Sequence, residues 1–341
     1  MRVLITGGAG FIGVNAAARF LAKGWQVDVV DNLSRPKVEA NLEWLQAQPS
    51  AKQMTLHRID VRDAAAINEA LTSTQPDLVL HLAAQVAVTT SVLEPRHDFE
   101  VNAIGTFNVL EAARQMNQPP AFIYASTNKV YGKLSSVKVV KEKRRYRYQD
   151  LPRGVAEDAA LDFYSPYGCS KGAADQYVVD YARIYGLRTV AMRQSCIYGR
   201  HQFGVEDQGW LAWFAIASVT GKPITIYGDG LQVRDVLWVD DLVDLYELAF
   251  EQIDRVSGKA FNVGGGAAFS LSLLESLDVI GRCLGREIPV SYADWRPGDQ
   301  EVFIADTSLA KKLLGWAPKT SPDEGVAKLM AWIQDNRALL D

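Results

Sequence analysis

The run Thr6-Gly7-Gly8-Ala9-Gly10-Phe11-Ile12-Gly13 constrains the fold of this chain more than any other feature. It follows a short apolar stretch, Arg2-Val3-Leu4-Ile5, and leads into Phe11-Ile12-Gly13-Val14-Asn15-Ala16-Ala17-Ala18-Arg19-Phe20-Leu21, which reads as a helix. Strand, glycine turn and helix in that order make a pyrophosphate site. The N–H groups that open a helix lack partners within it, and the helix dipole favours negative charge at that end. Gly7 suits the tight turn, Gly10 lets backbone approach phosphate, and Gly13 lets the helix pack closely on the strand.

Strand-like apolar runs at 2–6, 26–31, 54–60, 77–83, 121–126 and 188–194 alternate with helical patterns. That rhythm predicts a doubly wound α/β fold of the Rossmann kind, a parallel sheet with helices on both faces. Long helical stretches near 97–117 and 167–185 are expected to cover one face. After residue 195 the rhythm becomes irregular, and a strand-helix unit returns at 233–252. We therefore expect a dinucleotide-binding domain of residues 1–195 plus 232–266. A smaller, interleaved substrate lobe would take 196–231 plus 267–341, with a substrate cleft between the two.

Composition narrows the function. The 341 residues are 48% hydrophobic and 22% charged, so the chain is globular, and its net charge of −4 argues against a general nucleic-acid footprint. One basic stretch, Lys138, Lys141, Lys143, Arg144, Arg145 and Arg147 with Tyr146 and Tyr148 interleaved, reads as a solvated hairpin. The three cysteines, Cys169, Cys196 and Cys283, form no CxxC pair and no metal spacing, which fits a reduced cytoplasmic protein without a metal. No apolar run approaches the roughly 18 to 20 residues of a membrane span, and the first residues enter a core strand directly. A soluble cytoplasmic protein with no membrane or nucleic-acid partner is the expectation.

Several side chains fall where chemistry would need them. Asp31, followed by Asn32, lies 18 residues past Gly13, near the spacing of the carboxylate that binds the adenosine ribose, and favours NAD over NADP. The alternative is an Asp capping a turn. Asp60 and Val61 end the third strand, within reach of the adenine. Leu82, Ala83 and Ala84 put small groups where a strand end passes the cofactor, while the neighbouring His81 reads as packed. Tyr167 and Lys171 are four residues apart, hence on one face of a helix. An ammonium and a cationic nicotinamide would both favour the tyrosine phenolate, which can then move a proton. Ser126 and Thr127 put hydroxyls at the carboxyl end of the fifth strand, and Asn102 is a buried hydrogen-bonding candidate behind them or a structural amide.

These features, with Val101-Asn102-x-x-Gly105-Thr106-x-Asn108-Val109-Leu110-Glu111-Ala112, Val130-Tyr131-Gly132, Ser165-Pro166-Tyr167-Gly168, Tyr227-Gly228-Asp229-Gly230, Arg234-Asp235 and Arg296-Pro297-Gly298-Asp299, resemble the extended short-chain dehydrogenase/reductases that act on nucleotide sugars. The resemblance spans nearly the whole chain. It implies a triad of Thr127, Tyr167 and Lys171 and an NAD site of Gly7, Gly10, Phe11, Ile12, Gly13, Asp31, Asn32, Asp60, Val61, Leu82, Ala83, Ala84, Asn102, Ser126, Tyr167 and Lys171. It implies substrate contacts from Thr127, Asn128, Ser195, Cys196, Gln208, Gly209, Tyr227, Arg234 and Arg296, the two arginines gripping a diphosphate.

Segments 128–131, 161–176, 193–199 and 202–210 resemble the branch that inverts C2 of a CDP-hexose, and the insertion at 133–160 fits that branch better than the 4-epimerases. Gly199-Arg200-His201 departs from the Gly-Pro-Arg of common relatives and bears on the shape of the sugar pocket. The resemblance also implies a homo-oligomer, dimer or tetramer, paired through two long helices. A UDP- or dTDP-sugar 4-epimerase, a decarboxylase and a non-catalytic NAD sensor remain alternatives. A 4,6-dehydratase would need an acid and a base where Thr127 is followed by Asn128-Lys129.

Overall fold

Val3, Leu4, Ile5, Val29, Val30, Leu78, Val79 and Leu80 are buried on both sides of their strands, as continuous apolar runs in a parallel sheet must be. The computed structural model describes residues 1–296 and 299–340, so Pro297 and Gly298 of the Arg-Pro-Gly-Asp segment lie outside the described residues. The central sheet comprises β1 (Arg2–Thr6), β2 (Gln26–Val30), β3 (Met54–His57), β4 (Leu78–His81), β5 (Ala121–Thr127), β8 (Thr189–Gln194) and β12 (Lys259–Val263), in the order β12-β8-β5-β4-β1-β2-β3. The β3–β2, β2–β1, β1–β4 and β4–β5 pairs all run parallel.

The chain packs as two compact units, each built from separate segments. The first takes Met1–Val130, Ser165–Arg193 and Val243–Phe261, the second Tyr131–Tyr164, Gln194–Leu242 and Asn262 onward. In the first unit the helices are α1 (Phe11–Ala22), α2 (Val38–Gln46), α3 (Ala64–Thr74), α4 (Val88–Leu93), α5 (Pro95–Phe99), α6 (Gly105–Arg114) and α7 (Ser165–Tyr185). A π-helical segment, Glu100–Ile104, joins α5 to α6, so the long helix expected at 97–117 is really three pieces.

The second unit holds the hairpin β6 (Val139–Lys141) and β7 (Tyr146–Tyr148) and a mixed sheet of β9 (Cys196–Tyr198), β11 (Val233–Trp238), β13 (Ser270–Ser272) and β15 (Val302–Phe303). It also holds the β10 (Thr225–Tyr227) and β14 (Ser291–Ala293) pair and helix α8 (Trp210–Thr220).

Two expectations about organisation are corrected here. Residues 233–238 do not rejoin the central sheet: β11 pairs with β9, β13 and β15, and the last central strand is β12, which the alternation did not single out. Residues 131–164 and 232–242 pack with the second unit. The hairpin explains part of this, since Tyr146 N donates to Leu231 O (2.9 Å) and the Tyr148 hydroxyl to Val302 O (2.9 Å). The hairpin itself forms as expected but is docked. Tyr146 and Tyr148 are buried, and Lys141 pairs with Asp229 (2.9 Å) and Arg144 with Asp278 (2.6 Å). Among the described residues no helix is long and apolar enough to cross a membrane.

Two glycines set the start of the fold. Gly7 has φ of +68°, and a Cβ there would stand 2.8 Å from Ala83 N. At Gly13 a Cβ would stand 2.2 Å from Gly7 O, so this glycine lets α1 pack on the glycine turn itself. Gly13→Ala therefore forces α1 off the turn. Overpacking of this kind costs roughly 1–3 kcal/mol, and we expect a lower melting temperature together with weaker dinucleotide binding. Unchanged values in thermal melts and calorimetry would contradict this packing.

Candidate active site

The strand order reverses beside β1, which has β2 on one side and β4 on the other, so the loops that follow β1 and β4 diverge and leave a crevice at the carboxyl ends of the strands. The glycine run follows β1, and Leu82–Ala84 follow β4. Leu82 N and Ala83 N both donate to Thr6 Oγ1 (3.2 Å each), which ties the two loops together. At the start of α1, Gly10 is the extended N-cap residue and no side chain caps the helix. Its first N–H groups thus face the crevice without a side-chain acceptor, with Phe11 and Ile12 partly buried beside them.

Asp31 follows β2 and binds the same loop. Its carboxylate accepts from Ala9 N (3.0 Å) and Leu33 N (2.8 Å). Burial pushes this carboxyl up, opposed by those two donors and by Arg35. A cradle too tight for a Cβ, an uncapped helix start and a carboxylate at the end of β2 fit an adenine dinucleotide.

Several side chains expected at the cofactor have partners within the protein. Asn32 Nδ2 donates to Asp60 (2.9 Å), and Arg62 also binds Asp60 (2.8 Å), holding its carboxyl well below the usual range. Asn32 and Asp60 thus engage each other, and Val61 packs its side chain on Gly105 in the core. Asn102 is fully buried: Nδ2 donates to Gln85 O (3.0 Å), Asp98 (3.1 Å) and Ser170 (3.1 Å), and Oδ1 accepts from Gln85 N (2.9 Å). It holds a loop and a helix. The Ser126 hydroxyl likewise points to Asp175 (2.6 Å), not to the crevice.

His81 is packed, as expected. Thr106 gives its proton to Asn102 O (2.6 Å), so His81 Nε2–H donates to Thr106 (3.0 Å) and Nδ1 accepts from the Thr6 hydroxyl (2.6 Å). Burial lowers its pKa to about 3, which keeps the ring neutral.

Thr127 closes β5, while Tyr167 and Lys171 lie on the first turns of α7, all three buried. Burial pushes the Tyr167 phenol up to about 12; a hydrogen bond with Thr127 works against this and the charge of Asp98 adds to it. Lys171 Nζ donates to Ala125 O (2.6 Å) and lies 4.2 Å from the centre of the Tyr124 ring. Burial brings its ammonium down to about 7, against the pull of Asp175 and Asp98. The four-residue spacing does put both side chains on one buried face, but the lysine is held by a carbonyl of β5 and not by the tyrosine. Sequence reading missed the partners below them. Asp175, one turn beyond Lys171, forms a buried ion pair with Arg193 at 2.9 Å, and its spacing was the available signal.

The expected substrate residues, apart from Thr127 and Asn128, lie in the second unit. Arg296 stacks on Tyr227 (3.8 Å to the ring centre) and pairs with Asp207 (3.0 Å), and the Tyr227 hydroxyl donates to Glu206 (2.9 Å). Arg234 reaches Asp299 at 3.4 Å. The Ser195 hydroxyl donates to the buried Asp235, which also accepts from Gly266 N (3.1 Å) and Ala305 N (3.3 Å), so Ser195 is a structural donor here. Cys196 Sγ accepts from Trp210 Nε1 (3.4 Å), and Gly209, at φ of +74°, opens α8 after a Val205–Gln208 bridge. The Gly199-Arg200-His201 departure is mostly packing: His201 lies against Trp332 (5.4 Å between ring centres) and Arg200 pairs with Asp240 (2.9 Å).

Comparison with known proteins shows the family. The family model described as GDP-mannose 4,6 dehydratase matches residues 4–329. A CDP-paratose 2-epimerase of Salmonella typhi is 44% identical over 337 residues, covering 97% of this chain and 99% of the relative. Among solved structures, the UDP-glucose 4-epimerase of Thermotoga maritima with UDP-glucose superposes with a TM-score of 0.85 at 31% identity, covering 99% of this chain and 100% of that one. The Thermus thermophilus UDP-glucose 4-epimerase in complex with NAD gives 0.80 at 31% identity, covering 98% and 100%.

Lys171 makes the site costly to fold. Its ordinary value is 10.5 and its folded value about 7, so the unfolded chain binds the proton more tightly between them. The penalty is absent above the unfolded value, grows as pH falls through this window and is complete below the folded value. Lys171→Met should therefore melt higher than wild type near neutral pH in the dinucleotide-free protein, with the gain fading toward pH 10. Asp175→Ala does the opposite, because it strands a buried Arg193 at a cost of about 3–5 kcal/mol. Thermal melts across pH test both, and a Lys171→Met protein that melts lower at neutral pH would contradict the buried charge.

Proposed function

The chain belongs to the extended short-chain dehydrogenase/reductase family of nucleotide-sugar epimerases and dehydratases, and on that premise we propose that it is an NAD-dependent 2-epimerase of a CDP-hexose. The observation that carries the reading is the 44% identity to a CDP-paratose 2-epimerase along almost the whole of both chains. The site chemistry supports it. A dehydratase needs an acid and a base beside the triad threonine, and here Asn128 and Lys129 stand there.

The chain's own residues have distinct tasks in this reading. NAD, when bound, supplies reversible oxidation at the sugar carbon. Gly7, Gly10 and the start of α1 hold its pyrophosphate, and Asp31 its adenosine ribose, where a 2′-phosphate would meet like charge. Thr127 and Tyr167 hold the reacting hydroxyl. Tyr167 takes its proton as a 2-keto sugar forms, then returns it. A phenol near 12 is a poor base at neutral pH, and the Lys171 ammonium on the same face of α7 favours its phenolate. Arg234 and Arg296 grip the diphosphate while the sugar turns to present its other face. Binding far from the reacting carbon thereby keeps the intermediate from leaving. Asp207 and Glu206, the present partners of Arg296, give way to the phosphates.

The same reading includes a homo-oligomer in a reducing cytoplasm. Its supports are three cysteines that form no disulfide and an apolar face left exposed on the helices of the first unit, with Phe99, Ile104, Phe107, Tyr177 and Ile184 uncovered. Phe107→Glu should move the protein toward monomer in sedimentation experiments, and an unchanged distribution would place the interface elsewhere.

The decisive experiment offers CDP-, UDP-, dTDP- and GDP-hexoses to the purified protein and follows sugar stereochemistry by NMR. A CDP-hexose should invert at C2, with deuterium placed at C2 kept in the product and none entering from solvent. Inversion at C4 on every active substrate would make it a 4-epimerase. Denatured protein should release NAD(H) and not NADP(H). Tyr167→Phe should turn over roughly 10²- to 10⁴-fold more slowly while still binding substrate.

A further inference from the structure

Asp98, on α5, is fully buried beneath the first turns of α7. Its Oδ1 accepts from Gln85 Nε2 (2.7 Å) and Asn102 Nδ2 (3.1 Å), and its Oδ2 accepts from Ser170 Oγ (2.5 Å). All three donors are neutral, and among the described residues Asp98 forms no ion pair. Asp175, the other acidic group near Lys171, is matched by Arg193. Ser170 stands between Tyr167 and Lys171 on α7 and also contacts Tyr167 O at 3.2 Å.

Few charges face Asp98 from the elements packed around it. On α7 the titratable groups near it are Tyr167, Lys171 and Asp175, and on β5 there is Tyr124. On the π-helical segment Glu100 pairs outward with Arg96 (3.3 Å). Arg96 and His97 share α5 with Asp98, and α4 (Val88–Leu93) carries no titratable side chain. A buried carboxylate satisfied only by neutral donors projects its field onto its neighbours, because no ion pair holds it.

We propose that Asp98 is a positioning residue for the Tyr167–Lys171 pair: through Ser170 it fixes the turn of α7 that carries both, and its negative charge, held in no ion pair, sets the field in which both exchange protons. The inference rests on the reading of Tyr167 as the proton acceptor. Asp98 supports the Lys171 ammonium against burial and raises the Tyr167 phenol, so loss of its charge moves both groups the same way, toward lower pH.

The test is the pH profile of kcat/KM of the NAD-loaded protein with its best CDP-hexose. In Asp98→Asn, which keeps the size, lets the amide oxygen accept from Gln85 and Asn102 and reverses the bond to Ser170, both limbs should move to lower pH by about one unit. Asp98→Glu, which restores the charge, should return them toward the wild-type positions. A lower rate in Asp98→Asn with both limbs unmoved would make Asp98 a structural residue and overturn the proposal. Should Asp98→Asn not fold, Ser170→Ala carries the test: it keeps the carboxylate but cuts its link to α7, so kcat should fall roughly tenfold or more with the limbs in place. A wild-type kcat in Ser170→Ala would overturn the positioning role. Tyr167→Phe separates the two levels. If it turns over like wild type, the underlying assignment of the base has failed; if it is impaired while the Asp98→Asn limbs stay put, only the role of Asp98 has.

Discussion

Two stretches of backbone pass within contact at the point where the strand order reverses, and the architecture of the first unit depends on that approach. Gly7 can stand against Ala83 N only because it has no Cβ, and Gly13 can bring α1 onto Gly7 O for the same reason. The polar groups beneath follow from this closeness. Thr6 Oγ1 accepts from Leu82 N and Ala83 N and donates its own proton to a neutral His81, which leans in turn on Thr106. A chain of neutral hydrogen bonds therefore holds the two loops at the spacing a dinucleotide requires, with no net charge placed in the sheet.

Much of this was legible in the sequence because it depends on local pattern. The glycine run, the apolar strands, the placement of Thr127 at the end of β5 and the shared face of Tyr167 and Lys171 all follow from spacing along the chain. What escaped depends on partners distant in sequence. Ser126 and Ser195 were read as groups offered to a ligand, yet Asp175 and Asp235 engage their hydroxyls, while Asn102, read either as a ligand group or as a structural amide, binds Gln85 and Asp98. A sequence reveals that a hydroxyl sits at a strand end, but not which way it turns. The strand at 233–238 misled for a related reason: its apolar content suits any sheet, and only its Arg234-Asp235 pair hinted that it could not lie in a core covered on both faces.

Arg296, in the second unit, is held in place by its neighbours. The Arg296 guanidinium lies over the Tyr227 ring and is bordered by Glu206 and Asp207. Its orientation is thus set by the ring and the two carboxylates, as the proposed grip on a diphosphate would need. These pairs are solvent-accessible and contribute little to folding. Their use lies in presentation.

The π-helical segment at Glu100–Ile104 has a consequence for how the first unit connects its inside to its outside. A wide turn takes up an extra residue and so offsets the helix on either side of it. Asp98, Asn102 and Thr106 are buried along this one rod, while Phe99, Ile104 and Phe107 are exposed. Removing a single residue there would restore regular winding but twist one half of the rod by about 100° against the other. The inward polar side chains of that half would then lose their register with the other, and its exposed groups would swing toward the interior. The bulge works as a gear tooth, and shortening the helix by one residue is the mutation this fold is least able to absorb.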